Sequence, residues 1–441
     1  LSGHNWFQNL TAPLLAAELQ YFRTPRPEWE RLLLRLRQLG ANTVSTYVSW
    51  GWHEPQEGQL DFQGQTCPER DLLGFIHLVQ EMGFWLILKP GPFIDAETLG
   101  GGIPTWLLDR LPEAHARRPD GSGWRYPDSD QPRLSYLHPL ALEAARRWLV
   151  AFSQAASAWQ FPKGPVIALQ LDNEMPGEGF LPGDPEDNGY DFRFRGDFNP
   201  YLTQELWPEW LQARHTRPED MAAYYGRPAV DFKSLAFPSS WVEPRSIGDL
   251  RFWMDSARFI DWTHQRVLRL YAAALRESGW GTPFYQNLFS PPWDTGGLAT
   301  NQGGLALAAG WQGQNIYPEA VRTPLVEAYG FQMGFEEYIQ HAYWRARLAK
   351  NYSPELPGLA SEVACVNDFF LQALFAGGVE AACIYPGVQS NPEPTAVGVF
   401  PRWGMEAPLR PDGSLLPRFW NGRSLFAYLQ AGGRDFARSR P

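Results

Sequence analysis

Cysteine is scarce in this chain: three among 441 residues, Cys67, Cys365 and Cys383, with no CxxC pair. That spacing excludes a disulfide framework and a zinc ribbon, and reduced, half-buried thiols are the ordinary reading. No run of about 18 apolar residues occurs, so no membrane span is expected. Basic clusters are missing too. With 38 Lys and Arg against 48 Asp and Glu, the formal net charge of -10 lacks the electrostatic footprint of a nucleic-acid binder and suits a neutral partner. No GxGxxG or GxxxxGK follows an early strand, although Gly100, Gly101 and Gly102 come after one, and no GxSxG, HExxH or HxH is found. Phosphate cradles, nucleophile-elbow hydrolases and zinc hydrolases therefore have no motif to rest on, and neither a metal nor a cofactor is expected. The first residue is Leu1 rather than methionine, which fits either a removed leader or a trimmed start, so the compartment, cytoplasmic or secreted, stays open.

What is present is apolar and aromatic, and it alternates. The 44% hydrophobic content supports a sizeable core. Residues 14–22 read as a first strand, and residues 27–39 as a helix with Leu32, Leu33, Leu36 and Leu39 near the 3.6 period, ended by Gly40. Strands are expected at 43–50, 84–93, 165–174, 283–289, 310–317, 356–363 and 380–385, with helical patterns at 70–82, 142–159, 335–350, 367–376 and 418–429. Residues 190–279 show no clear strand; helical segments at 199–215 and 250–278 make this an elaborated connection. Eight strand-helix units predict an α/β fold, a (β/α)8 TIM barrel with its elaboration after strand four. The expected organisation is one catalytic domain over 1–441 with an insertion at about 175–280.

In such a barrel the C-terminal strand ends face a common mouth. Acidic groups collect there: Glu18 in strand one, Glu54 after strand two, Asp95 and Glu97 after strand three, Asp172 and Glu174 around Asn173 closing strand four, and Glu362 closing strand seven. Helix capping is the competing explanation for the Asp-Asn-Glu ending of strand four. Two carboxylates on strands four and seven, however, can face each other across the mouth, and a pair about 5–5.5 Å apart is what a retaining glycosidase uses. One attacks the anomeric carbon while the other protonates the leaving oxygen. Asn173, Glu97 and Tyr47 are candidates for hydrogen bonds to sugar hydroxyls, Tyr317 at the end of strand six for the pocket wall, and Trp50 or Trp52 for stacking, the remaining tryptophans being core.

The segments ELQYFRTPRPEWERLLLRLRQLGANTVSTYVSWGWHEPQEGQLDF, FWLILKPGPFIDAETLGGGIPTWLL, GPVIALQLDNE and RWGMEAPLRPDGSLLPRFW resemble, in this order, glycoside hydrolase family 35, a β-galactosidase family built on (β/α)8 barrels. The resemblance implies Glu174 as acid/base and Glu362 as nucleophile, and implies that Tyr47, Ala96, Glu97 and Asn173 line the sugar pocket. Gly51, Trp52, Asp95 and Thr98 depart from the family's usual residues around the terminal sugar, and Asp95 suits an amino sugar. Residues 190–226 look more like the related family 42. The expected activity is a retaining exo-β-glycosidase acting on a terminal β-linked sugar of an oligosaccharide or glycoside, most simply a β-galactoside. Alternatives are a transglycosylase, an exo-β-glucosaminidase or β-glucosidase with the same machinery, and a sugar-binding barrel without catalysis. An oligomer is compatible with all of them.

Overall fold

Eight parallel strands, paired in chain order, close into a barrel in which the last returns to the first. They are β1 (Leu14–Glu18), β2 (Thr43–Tyr47), β3 (Trp85–Lys89), β4 (Val166–Gln170), β5 (Phe284–Phe289), β6 (Gln312–Ile316), β7 (Gly358–Val363) and β8 (Val379–Ile384). Between and after them run α1 (Trp29–Leu39), α2 (Leu72–Glu81), α3 (Pro139–Ala156), α4 (Ile247–Glu277), α5 (Gln302–Ala309), α6 (Phe335–Tyr352), α7 (Asp368–Ala376) and α8 (Pro417–Arg438). The computed structural model describes residues 13–96, 98–126, 130–175, 196–289, 301–316, 335–363, 368–389 and 407–438.

The helices bury the stripe their periodicity predicts. In α1 the buried residues are Trp29, Leu32, Leu33, Leu36 and Leu39, and Gly40 takes the left-handed conformation that ends it, at φ 106°. The connection after β4 carries a π turn (Tyr201–Leu206) and short helices at Trp207–Arg214 and Pro218–Tyr225 before the 31-residue α4. Trp207 anchors this layer, with its ring against Trp210, Phe237, Phe252 and Phe259.

Two expectations change at strand ends. The first strand stops at Glu18, and Tyr21–Arg23 forms a 3-10 turn. Tyr21 and Phe22 are apolar there because Tyr21 packs on Trp29 and Phe75, which has nothing to do with strand pairing. The second strand stops at Tyr47, because the Ser49 side chain caps a helical turn, Trp50–His53. Trp50 is thereby turned into the core, stacked on Trp148 at 5.8 Å. Trp52 goes to the rim, its Nε1 on the Glu69 carbonyl at 3.3 Å and the Arg70 guanidinium over its ring.

One irregularity in the barrel matters for the site. Gln314 of β6 pairs with Ala360 of β7, but the next residue, Asn315, pairs with Glu362. Ser361 is therefore an extra residue, a bulge that re-aims the side chains on either side of it. Room for it comes from Gly313, where an added Cβ would sit 2.5 Å from Ser361 Oγ and 2.7 Å from its Cβ.

Candidate active site

At the C-terminal end of the barrel the chain leaves β3 and β4 in conformations that side chains ordinarily avoid. Asp95 and Ala96 (both φ 50°), Asp172 (φ 56°) and Glu174 (φ 45°) all lie in the left-handed region, where a non-glycine residue costs about 1–3 kcal/mol and persists only when its surroundings fix it. Those surroundings are visible. Arg23 donates to the Ala96 carbonyl. The Asp172 N–H donates to the Gly91 carbonyl at 3.1 Å, and its Oδ1 accepts from the Phe93 N–H at 3.1 Å, so this side chain ties the two strand ends together. Burial pushes the Asp172 carboxyl up to about 7, against the Phe93 N–H.

Asn287, on β5, holds the strand-four ending. Its Oδ1 accepts from the Glu174 N–H at 2.9 Å, and its Nδ2 donates to Asn173 Oδ1 at 2.8 Å. Gln170 Nε2 reaches the same Asn173 oxygen at 3.1 Å. The Tyr47 hydroxyl lies 2.8 Å from Asn173 Oδ1 and 2.7 Å from Glu362 Oε1. It has one proton, and the carboxylate is the stronger acceptor. Burial, reinforced by the nearby Glu362 charge, raises the Tyr47 phenol well above its ordinary value, so it remains a donor.

Asn315 joins the two halves of the site. Its Nδ2 donates to Glu174 Oε1 and, at 2.9 Å, to Glu362 Oε2. A single nitrogen that bonds both carboxyl groups bounds their nearest oxygens to about 6 Å. Glu174 and Glu362 are each only 3% exposed.

Beneath Glu362 sits a buried cation. Lys89 Nζ is 2.9 Å from Glu18 Oε2 and 3.6 Å from Glu362 Oε1, and lies 3.6 Å from the centroid of the Tyr47 ring. Burial opposes its charge, but the Glu18 and Glu362 carboxylates outweigh that and hold its pKa above the ordinary lysine value. Three ionisable groups in so dry a place are stable only together.

Of the residues the sequence marks, the structure brings together Tyr47, Asn173, Glu174 and Glu362, and puts Ala96 and Asp95 on the strained turn after β3. Glu97 and Tyr317 lie outside the described residues. Trp50 is turned into the core and Trp52 makes the Glu69 and Arg70 contacts above, both consequences of the Ser49 cap. Glu54 is a loop anchor, accepting from Trp50 Nε1 and the Gly58 N–H. Sequence reasoning missed Lys89, Asn287, Asn315 and Ser361. Their only signal is a polar residue inside an apolar strand, as in FYQNLF and GQNIY. Among the described residues no cluster of three or more His, Cys, Asp or Glu side chains is arranged to hold a metal, and no described helix is long and apolar enough to cross a membrane.

Comparison with known proteins puts names beside this geometry. An exo-beta-D-glucosaminidase of Thermococcus kodakarensis is 36% identical over 258 residues, 57% of this chain and 31% of that protein. A beta-1,2-glucosyltransferase of Ignavibacterium album is 31% identical over 281 residues, 64% of this chain and 36% of that protein. The matched part thus spans about a third of either relative's length. Among solved structures, the beta-galactosidase of the psychrophilic Marinomonas ef1 superposes with a TM-score of 0.72 over 96% of this chain and 61% of its own, at 14% identity, a likeness of fold. Residues 7–126, which span the first three strands, match the model of Glycosyl hydrolases family 35, and the chain is through them a relative of glycoside hydrolases.

Proposed function

We propose that the protein is a retaining exo-β-glycosidase in which Glu362 is the nucleophile, Glu174 the acid/base, and the barrel with its connection at about 175–280 the catalytic unit. The observation that carries this is the shared Asn315 nitrogen: nearest carboxyl oxygens within about 6 Å of each other fit the close pair of a retaining enzyme better than a pair held apart to admit a water between them. In the first step a Glu362 oxygen bonds to the anomeric carbon as the glycosidic C–O bond breaks, and the Glu174 proton passes to the leaving oxygen. In the second, Glu174 takes a proton from water, the water oxygen bonds to the anomeric carbon, and the ester bond to Glu362 breaks. Asn173 and Tyr47 are the hydrogen-bonding wall of the sugar subsite.

For the sugar, galactose is the reading of the sequence pattern, to which the likeness of residues 190–226 to family 42 adds. A second reading, a 2-amino sugar, is favoured by Asp95 on the strained turn and by the glucosaminidase relative. The glucosyltransferase relative keeps transfer to a sugar hydroxyl in place of water as an outcome to measure. A panel of aryl β-glycosides with and without an acceptor sugar separates these. Glu362→Gln is expected to abolish turnover and keep sugar binding. Glu174→Ala is expected to hurt poor leaving groups most, with azide restoring part of the rate on activated ones; equal loss on good and poor leaving groups would remove Glu174 from the acid role.

A further inference from the structure

Asn315 has no place in the two-carboxylate scheme, yet it touches both reacting groups. Its side chain is 2% exposed, and its orientation is chemically fixed. Glu362, ionised as the nucleophile, only accepts, so the NH2 faces it and the Glu174 oxygen on the same nitrogen, while Oδ1 takes the proton of Ser361 Oγ at 2.7 Å. The β7 bulge is what sets this up: the extra residue Ser361 aligns Glu362 with Asn315 and supplies the hydroxyl that holds the amide.

An amide NH2 has two protons, one for each carboxylate. In double displacement the negative charge starts on Glu362 while Glu174 is protonated. Once the ester forms, Glu362 is neutral and Glu174 is the anion. A donor fixed to one carboxylate would face a neutral partner for half of the cycle; a donor shared between them keeps a charged one throughout. We propose that Asn315 is a catalytic residue that hydrogen-bonds whichever of Glu362 and Glu174 carries the charge, following it from one to the other as the glycosyl-enzyme forms and breaks down. This rests on the proposed roles of the two glutamates.

The signature is in the pH profile. The acid limb of kcat/KM reports ionisation of the nucleophile and the basic limb deprotonation of the acid. Removing a donor that stabilises both anions moves both limbs the same way, to higher pH, by about one pH unit for one charge-assisted hydrogen bond each. The other ionisable groups around Glu362 stay in place: Glu18 on β1, Tyr47 on β2, Lys89 on β3, Glu174 after β4, Tyr285 on β5, and Cys383 and Tyr385 at β8.

The test is the kcat/KM profile of the full chain and of Asn315→Ala with an aryl β-glycoside that the wild type turns over. A bell displaced to higher pH on both sides is expected; a lower bell with unmoved limbs, the mark of a merely structural role, would overturn the assignment. Ser361→Ala, which frees the amide without removing it, is expected to shift both limbs the same way by less, and serves alone if Asn315→Ala does not fold; unmoved limbs there would also overturn it. Glu362→Gln separates the two layers. If it stays active, the nucleophile reading fails; if it is inactive while the Asn315→Ala bell is unshifted, only the Asn315 role fails.

Discussion

Lys89 shows how far a single side chain can set the terms for a site. It holds two carboxylates, Glu18 and Glu362, in a region where none of the three is more than 3% exposed. Lys89→Met removes the only positive member of the group and leaves buried negative charge uncompensated, at a cost of about 3–5 kcal/mol. Denaturant unfolding is expected to show that loss, and the Glu18→Gln, Lys89→Met double variant to regain part of it; a single variant as stable as the wild type would show that the charges are not energetically joined. This lysine was illegible in the sequence because FWLILKPGPF reads as an apolar strand with a polar end, and one lysine at a strand end is usually solvated. Glu174 and Glu362 were legible for the opposite reason. The barrel rule assigns strand ends to the mouth, so two acids on strands four and seven gain meaning from topology alone. The core place of Trp50 was not legible because Ser49, read as part of the strand, is the cap that ends it.

At the scale of the element, the β7 bulge depends on Gly313 of β6. A methyl there meets Ser361 at Oγ and Cβ, and neither atom can retreat far. Gly313→Ala is expected to destabilise by about 1–3 kcal/mol through overpacking and to lower kcat, as read by thermal unfolding and steady-state rates. Adding Ser361→Gly relieves the crowding, so stability is expected to return while the kinetic defect remains, because the hydroxyl that holds Asn315 is gone. Recovery of both would show that the bulge matters only for packing. None of this could be read from LASEV and GQNIY separately, since a bulge is a relation between two strands.

The whole barrel was readable because each unit agrees with itself: an apolar strand, an amphipathic helix, often a glycine beyond its end. The boundaries were less so, since packing side chains such as Tyr21 and Phe22 look like strand residues. Fold stability as a whole is expected to carry a pH signature from Asp172. Its folded pKa of about 7 lies above the ordinary Asp value of 3.8. The folded state therefore binds the extra proton, and stability present below about pH 4 is lost as pH rises through 7, by a few kcal/mol at most. Asp172→Asn is expected to flatten that decline relative to the wild type in unfolding measured from pH 5 to 8; parallel curves would mean the carboxyl is not held protonated.

The left-handed turn at Ala96 carries a last consequence, for anyone breeding this protein for heat tolerance. Glycine adopts that conformation at no steric cost, so a library screened only for survival at high temperature has a reason to collect Ala96→Gly. Such a winner would hold its shape longer and, on the proposal that Ala96 lines the sugar pocket, grip its sugar less firmly, because the rigidity surrendered would be the pocket's. Screens on this scaffold therefore need an activity gate at every round.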